Sequence, residues 1–346
     1  MSFRPIPADL LPWALTALGR EDALGQSTLA LVAGDASARR YFRLALSGQS
    51  YIVAESPPET EKNAEFVVVR DVLARSGVHV PALYGSDLDR GYLLLEDLGD
   101  RTLLAELTPD TVDDHYDRAL EVLHRMARLE VETLDLPEYG RDLLVDELQR
   151  FTDWFVVRLL GHDLTQPELA LCERLGERLV DSALQQPRVL VHRDFHSRNL
   201  MLMAEEGLGV IDFQDAVIGP VTYDLVSLLR DCYIRWPGQQ VRGWALSYRA
   251  ELVSAGLLEP VKEATFLRWF DWIGLQRHIK VLGTFARLYL RDSKPGYLED
   301  LPLVVAYVRE ILAAYAGEEP VFAEFTHWFD RVLGPKIALQ PWSETK

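Results

Sequence analysis

Residues 189–215 read Val-Leu-Val-His-Arg-Asp-Phe-His-Ser-Arg-Asn-Leu-Met-Leu-Met-Ala-Glu-Glu-Gly-Leu-Gly-Val-Ile-Asp-Phe-Gln-Asp. Within this stretch, 200–203 and 208–211 are apolar strand-like runs joined by Ala204, Glu205, Glu206 and Gly207, the pattern of a β-hairpin. If Leu200 pairs with Ile211, then Asn199 and Asp212 emerge side by side at the open end, and a compact loop can bring the Asp194 carboxylate to the same place. Two carboxylates and an amide oxygen brought together need a positive charge between them. Hard oxygen ligands suit Mg²⁺, which keeps some water and prefers one or two protein oxygens plus substrate phosphates to an all-protein cage. The implied chemistry is phosphoryl transfer. A lone loop aspartate would be better explained by bonds to its own backbone N–H groups, so the reading rests on the whole constellation.

Outward from this island, the chain is an ordinary globular one. Its 346 residues, at roughly 150 per domain, predict about two domains. The 48% hydrophobic, 26% charged and 10% aromatic content excludes a largely disordered, collagenous or coiled-coil chain. With 36 Lys and Arg against 53 Asp and Glu, the net charge of −17 argues against a nucleic-acid partner. Cys172 and Cys232 have no CxxC pair or histidine cluster beside them, so neither a disulfide framework nor a zinc site is expected, and the cytoplasm is the default compartment. No apolar run is long enough to span a membrane, and segment 10–19, broken by Pro12 and Thr16, reads as an amphipathic helix.

The first hundred residues predict three successive antiparallel strands at 29–32, 40–46 and 51–54, a helix at 64–73 closed by Gly77, and a buried strand at 92–95. Glu96, Asp97, Leu98 and Gly99 make a polar, flexible exit. Beyond it, helical apolar spacing covers 111–130, 142–161, 166–185, 221–234, 241–256, 263–290 and 300–315. The expected fold class is α+β: a small β-rich lobe at 1–97 and a larger, mainly helical lobe at 98–346.

His192, Asp194 and Asn199, followed by Asp212, resemble the HxDxxxxN and metal-aspartate signatures of kinase-like phosphotransferases. The chain is most similar to the aminoglycoside phosphotransferase and choline kinase-like family. Within it, Gly34-Asp-Ala-Ser-Ala-Arg-Arg-Tyr-Phe-Arg43, Tyr92-Leu-Leu-Leu-Glu-Asp-Leu-Gly99 and Gln276-Arg-His-Ile-Lys-Val-Leu-Gly283 look like the branch of bacterial cell-wall-recycling kinases that phosphorylate N-acetylmuramate and N-acetylglucosamine at the anomeric hydroxyl. The resemblance implies a bilobal protein-kinase-like fold, ATP and Mg²⁺ as cofactors, and a sugar 1-phosphate product of peptidoglycan recycling. It implies that Asp194 accepts the substrate hydroxyl proton and that Asn199 and Asp212 hold the metal, with His192 bracing the loop. Asp224 follows Gly219 and Pro220 and opens an apolar helical run, so it either caps that helix or, as in the family, reaches back to the catalytic loop.

The family's counterpart of a glycine-rich phosphate loop falls on 34–43, with Ser37 the expected phosphate contact. Glu96 and Leu98 are expected to offer backbone groups to the adenine ring beside Leu95. The sequence departs from the kinase pattern at one place: Ala54 stands where the third strand usually carries a phosphate-pairing lysine, leaving Arg43 or Lys62 to supply the charge. Gln276, Arg277 and Lys280 share one helical face that is expected either to be solvated or to look into the acceptor cleft, where Arg277 or Lys280 would meet a lactyl carboxylate and Trp236, Trp269 or Trp272 would stack on sugar. His196, Gln214 and Asp215 flank the metal residues and are further acceptor candidates. The alternatives are a kinase of another small hydroxyl compound, such as an aminoglycoside or a choline-like amino alcohol, and a nucleotide-binding pseudokinase. No obligate protein partner and no membrane partner is expected.

Overall fold

Strand periodicity sorts the first part of the chain into two faces. In the computed structural model, which describes residues 5–32, 38–203 and 207–343, Phe42, Leu44 and Leu46 are buried while the residues between them are not fully so, the alternation that a half-buried strand requires. The strands in chain order are β1 (Leu29–Leu31), β2 (Arg40–Leu46), β3 (Gln49–Glu55), β4 (Leu83–Asp87), β5 (Tyr92–Glu96), β6 (Arg188–Val191), β7 (Leu200–Leu202), β8 (Leu208–Val210) and β9 (Val217–Pro220). The helices used below are α1 (Leu10–Ala17), α2 (Asn63–Arg75), α3 (Leu103–Glu106), α4 (Val112–Ala127), α5 (Arg141–Arg150), α6 (Gln166–Leu184), α7 (Tyr223–Leu229), α8 (Gly238–Ser254), α9 (Glu263–Leu290), α10 (Leu301–Tyr315) and α11 (Pro320–Trp328).

Backbone contacts group the chain into two units, Met1–Thr108 with Arg198–Asp215 and Pro109–Ser197 with Ala216–Lys346. The sequence reading divided the chain after Asp97. The partition by contacts returns the β7–β8 hairpin to the first unit, because the Leu202 N–H donates to the Arg101 carbonyl at 2.8 Å and the Val210 N–H to the His79 carbonyl at 2.9 Å.

The first unit is built on an antiparallel sheet of order β1-β2-β3-β5-β4. One face, carrying Phe42, Leu44, Val53 and Leu94, packs on Leu10, Ala14 and Leu15 of α1. The opposite face carries Tyr41, Arg43, Ile52 and Leu95. Strand β4 has no strong alternation of its own and was not expected; its pairing with β5 creates it.

The second unit is organised around the 28-residue α9. Its middle is buried on all sides, with apolar neighbours from α5, α6, α10 and α11. Gly283 lets α9 sit close against the end of α5: a Cβ there would lie 2.3 Å from the backbone of Arg150. The helix expected at 142–161 instead ends at Arg150 and continues as a π-helical segment, Phe151–Leu159. Because α9 is buried all round, Gln276, Arg277 and Lys280 are inside the unit, at 0%, 3% and 8% exposure, and the solvated face expected from their spacing does not exist. No helix of the described residues is long and apolar enough to cross a membrane.

Candidate active site

The β7–β8 hairpin forms as its apolar runs require, with the register shifted by one from the expected pairing. Leu200 lies opposite Val210, and the Ile211 N–H donates to the Asn199 carbonyl at 3.1 Å. Asn199 and Asp212 nonetheless meet, because Asp212 takes a left-handed conformation, φ 65°, that turns its carboxylate across; Asn199 Nδ2 lies 3.5 Å from Asp212 Oδ2. Left-handed backbone at a non-glycine residue is costly and persists where surrounding bonds hold it. Here Gln214 Nε2 donates to Asp212 Oδ1 at 2.9 Å.

Both residues line a cavity of about 220 Å³ within the first unit. Its walls include Ile52, Leu95, Leu98, Met201 and Ile211, apolar groups of the kind that hold a flat ring, and its polar groups are Arg39, Tyr41, Arg43, Glu96, Asp97, Asn199, Asp212 and Gln214. A carboxylate and an amide at one end make a hard-oxygen donor pair, which fits Mg²⁺ provided phosphate and water oxygens complete its shell. Among the described residues no cluster of three or more His, Cys, Asp or Glu forms a full metal cage.

The cations expected in this unit are both engaged. Arg43 is clamped by Asp97 (2.6 and 3.0 Å) and Asp100 (2.9 and 2.8 Å), and these charge-assisted bonds raise its pKa. Lys62 Nζ lies 2.6 Å from Asp215 Oδ1, which ties Asp215 to α2. Gln214 likewise orients Asp212 through its Nε2. The Glu96 side chain bonds His79 Nε2 at 3.1 Å and accepts the Ala82 N–H at 3.0 Å, its own N–H donates to the Ala82 carbonyl, and Asp97, Leu98 and Gly99 after it line the cavity. Ser37 lies outside the described residues.

The second unit holds Asp194. Its loop is pinned from two directions. Asp224 Oδ2 accepts the His192 N–H at 2.6 Å and Oδ1 accepts the Arg193 N–H at 3.0 Å, so Asp224 is a loop brace as well as a first-turn carboxylate of α7. Asp231 Oδ2 accepts both the N–H (2.9 Å) and the hydroxyl (2.5 Å) of Ser197. Buried His192 accepts the Asp194 N–H on Nδ1 at 3.2 Å, a bracing role. His196 packs edge-on against Tyr233, ring centroids 5.2 Å apart.

Beneath this loop is an ionic network that sequence reasoning missed. Glu147 of α5, with no exposed surface, accepts bonds from Arg193 and Tyr139, lies 2.9 Å from Lys280 Nζ, and has Gln276 Nε2 at 3.4 Å. Lys280 also donates to the Tyr223 hydroxyl at 3.0 Å. Lys280 is thus held inside the protein by Glu147 and Tyr223. Arg277 donates to the Cys232 thiol at 3.3 Å. Arg193 has φ 75°, and the Glu147 bond and the Tyr139 ring 5.4 Å from its guanidinium carbon anchor that conformation next to Asp194. Burial raises the Asp194 pKa, but the charges of Lys280, Arg193 and Arg277 outweigh it and hold the carboxyl at about 2.

The "Phosphotransferase enzyme family" model matches residues 28–258. The chain is 41% identical over 313 residues to the N-acetylmuramate/N-acetylglucosamine kinase of Pseudomonas putida, covering 90% of this chain and 91% of that one. It is 44% identical over 279 residues to the protein of the same name in Pseudomonas aeruginosa, covering 81% and 82%. Among solved structures, it resembles a Plasmodium vivax ethanolamine kinase (TM-score 0.63, 11% identity, 91% and 88% coverage) and the ADP-bound aminoglycoside phosphotransferase APH(2'')-Ib (TM-score 0.58, 15% identity, 88% and 99% coverage). These last two likenesses are of fold: a protein-kinase-like architecture.

Proposed function

The chain belongs to the phosphotransferase enzyme family, and from that premise we propose that it transfers the γ-phosphoryl group of ATP to the anomeric C1 hydroxyl of N-acetylmuramate or N-acetylglucosamine. The product would be the sugar 1-phosphate, made in the cytoplasm during peptidoglycan recycling. The observation that carries the choice of sugar is the similarity to kinases named for these two sugars along most of both chains.

In this reading the cavity of the first unit takes the nucleotide, its ring against Leu95 and Leu98 and its phosphates toward Asn199 and Asp212. Mg²⁺, when held by Asn199 and Asp212, neutralises phosphate charge. Asp194 orients the acceptor hydroxyl and takes its proton. With a pKa held near 2 it stays ionised throughout the working range and so is always ready to take that proton, in a transfer whose transition state needs little covalent help. Arg277 remains the candidate for a substrate carboxylate, and Lys280 acts through Glu147 and Tyr223 to set the loop.

A coupled assay of ADP release over N-acetylmuramate, N-acetylglucosamine, aminoglycosides, choline and ethanolamine tests the assignment, with phosphorus NMR locating the phosphate on the product. Turnover of the two amino sugars with phosphate at C1 is expected. Turnover confined to an aminoglycoside or amino alcohol would replace the acceptor class, and ATP binding without any turnover would favour a pseudokinase.

A further inference from the structure

The missing third-strand lysine leaves open which group pairs the nucleotide phosphates. We propose that Arg39 does so, from just before the strand that pairs with the one carrying Ala54. The register of β2 and β3 places Tyr41 opposite Ala54 and Arg40 opposite Glu55, so the next step back sets Arg39 opposite Ser56. Cross-strand partners and residues two apart share a face, which puts Arg39, Tyr41, Ala54 and Ser56 on the side of the sheet that bounds the cavity. The side chains agree: Arg39 Nε donates to Ser56 Oγ at 2.8 Å, and Arg39 and Tyr41 both line the cavity that also holds Asn199 and Asp212.

Arg39 is built in rather than draped on the surface. It is 3% exposed, with Nη2 3.4 Å from Asn63 Oδ1, Nη1 3.5 Å from the Tyr41 hydroxyl, and Glu61 standing off at 3.8 Å. Its guanidinium carbon lies 5.2 Å from the centroid of Phe66, whose ring packs 4.8 Å from that of Phe213, the residue after Asp212. A buried guanidinium is thereby fixed relative to the carboxylate proposed to hold the metal. Glu61 pairs with Arg39 at 3.8 Å, a longer contact than the 2.6 Å by which Asp97 holds Arg43 and Asp215 holds Lys62. An always-charged, rigid fork of N–H donors suits phosphate oxygens.

This inference rests on the reading that the cavity takes the nucleotide, and the experiment separates the two. Isothermal titration measures Kd for ATP, ADP and adenosine with the wild type and with Arg39→Met, Arg39→Gln and Arg39→Lys. The readout is the ratio of ATP affinity to adenosine affinity, which a general loosening of the fold does not move. The ratio is expected to fall roughly 10- to 100-fold in Arg39→Met and Arg39→Gln and to recover in part in Arg39→Lys. Arg39→Gln decides the matter if Arg39→Met does not fold. An unchanged ratio, or equal loss for ATP and adenosine, overturns the role of Arg39. A wild type that binds neither ligand overturns the nucleotide reading of the cavity itself.

Discussion

Asp224 holds the backbone of His192 and Arg193 with its two carboxylate oxygens, at 2.6 and 3.0 Å, from inside the first turn of α7. One buried side chain thereby fixes the two residues that precede Asp194. Burial pushes its carboxyl up to about 6, so it is costly to keep charged, and the two N–H donors offset that cost. Asp224→Asn keeps the size but replaces one acceptor with an N–H that faces another N–H. The variant is expected to lose about 1–3 kcal/mol of stability, the usual cost of an unsatisfied buried group. Amide hydrogen exchange at His192 and Arg193 should quicken while exchange in α9 core residues stays slow. Unaltered exchange at those two amides would mean that Asp224 does not hold the loop.

Glu147 predicts an acid limb of stability. Burial alone would raise its pKa, but Lys280, Arg193 and the Tyr139 hydroxyl hold it at about 2 from an ordinary value of 4.5. A carboxyl with a depressed folded-state pKa contributes stability that is fully present above 4.5 and is lost as pH falls toward 2. The difference is on the order of 3 kcal/mol. Urea titrations between pH 5 and pH 2 should show stability falling with pH in the wild type and falling less in Glu147→Gln. Equal slopes for the two proteins would remove Glu147 from the acid response.

Lys280 and Arg277 part company once their partners are known. Removing one member of a buried pair leaves the other uncompensated, so Lys280→Ala is expected to cost about 3–5 kcal/mol and to lower turnover of both amino sugars alike. Arg277 donates to a thiol and, if it reads a carboxylate, Arg277→Ala should raise KM for N-acetylmuramate well above any change for N-acetylglucosamine. Steady-state kinetics on both sugars separate the two variants. A Lys280→Ala effect confined to N-acetylmuramate would restore Lys280 as a substrate contact.

What was readable in the sequence follows the range over which each signal acts. Asn199 and Asp212 flank a short hairpin, so apolar patterning brings them to one end, and the left-handed backbone at Asp212 makes up for the register shift. The polar spacing of Gln276, Arg277 and Lys280 was visible, but its meaning was not: the partner that draws Lys280 inward is Glu147, remote along the chain and on another helix. Arg39 lay in plain view within the phosphate-loop stretch. Only the β2–β3 register shows that it shares a face with Ala54, and register is set by pairing rather than by either strand alone. Strand β4 is likewise created by its pairing with β5 rather than by its own pattern.

Asp194→Asn tests the chemistry most directly. The substitution preserves shape and removes the proton acceptor, while the braces from Asp224 and Asp231 remain to hold the loop. Turnover is expected to fall roughly 10²- to 10⁴-fold, the range for general acid–base assistance, with ATP affinity nearly unchanged. Since the wild-type carboxyl titrates near 2, the pH–rate profile should show no acid limb from this group between pH 5 and pH 8. Rapid-quench measurement of the first turnover isolates the transfer step from product release. A variant with near-normal single-turnover rate would show that the acceptor hydroxyl is not deprotonated through Asp194, and the weight would shift to the residues around His196 and Arg277.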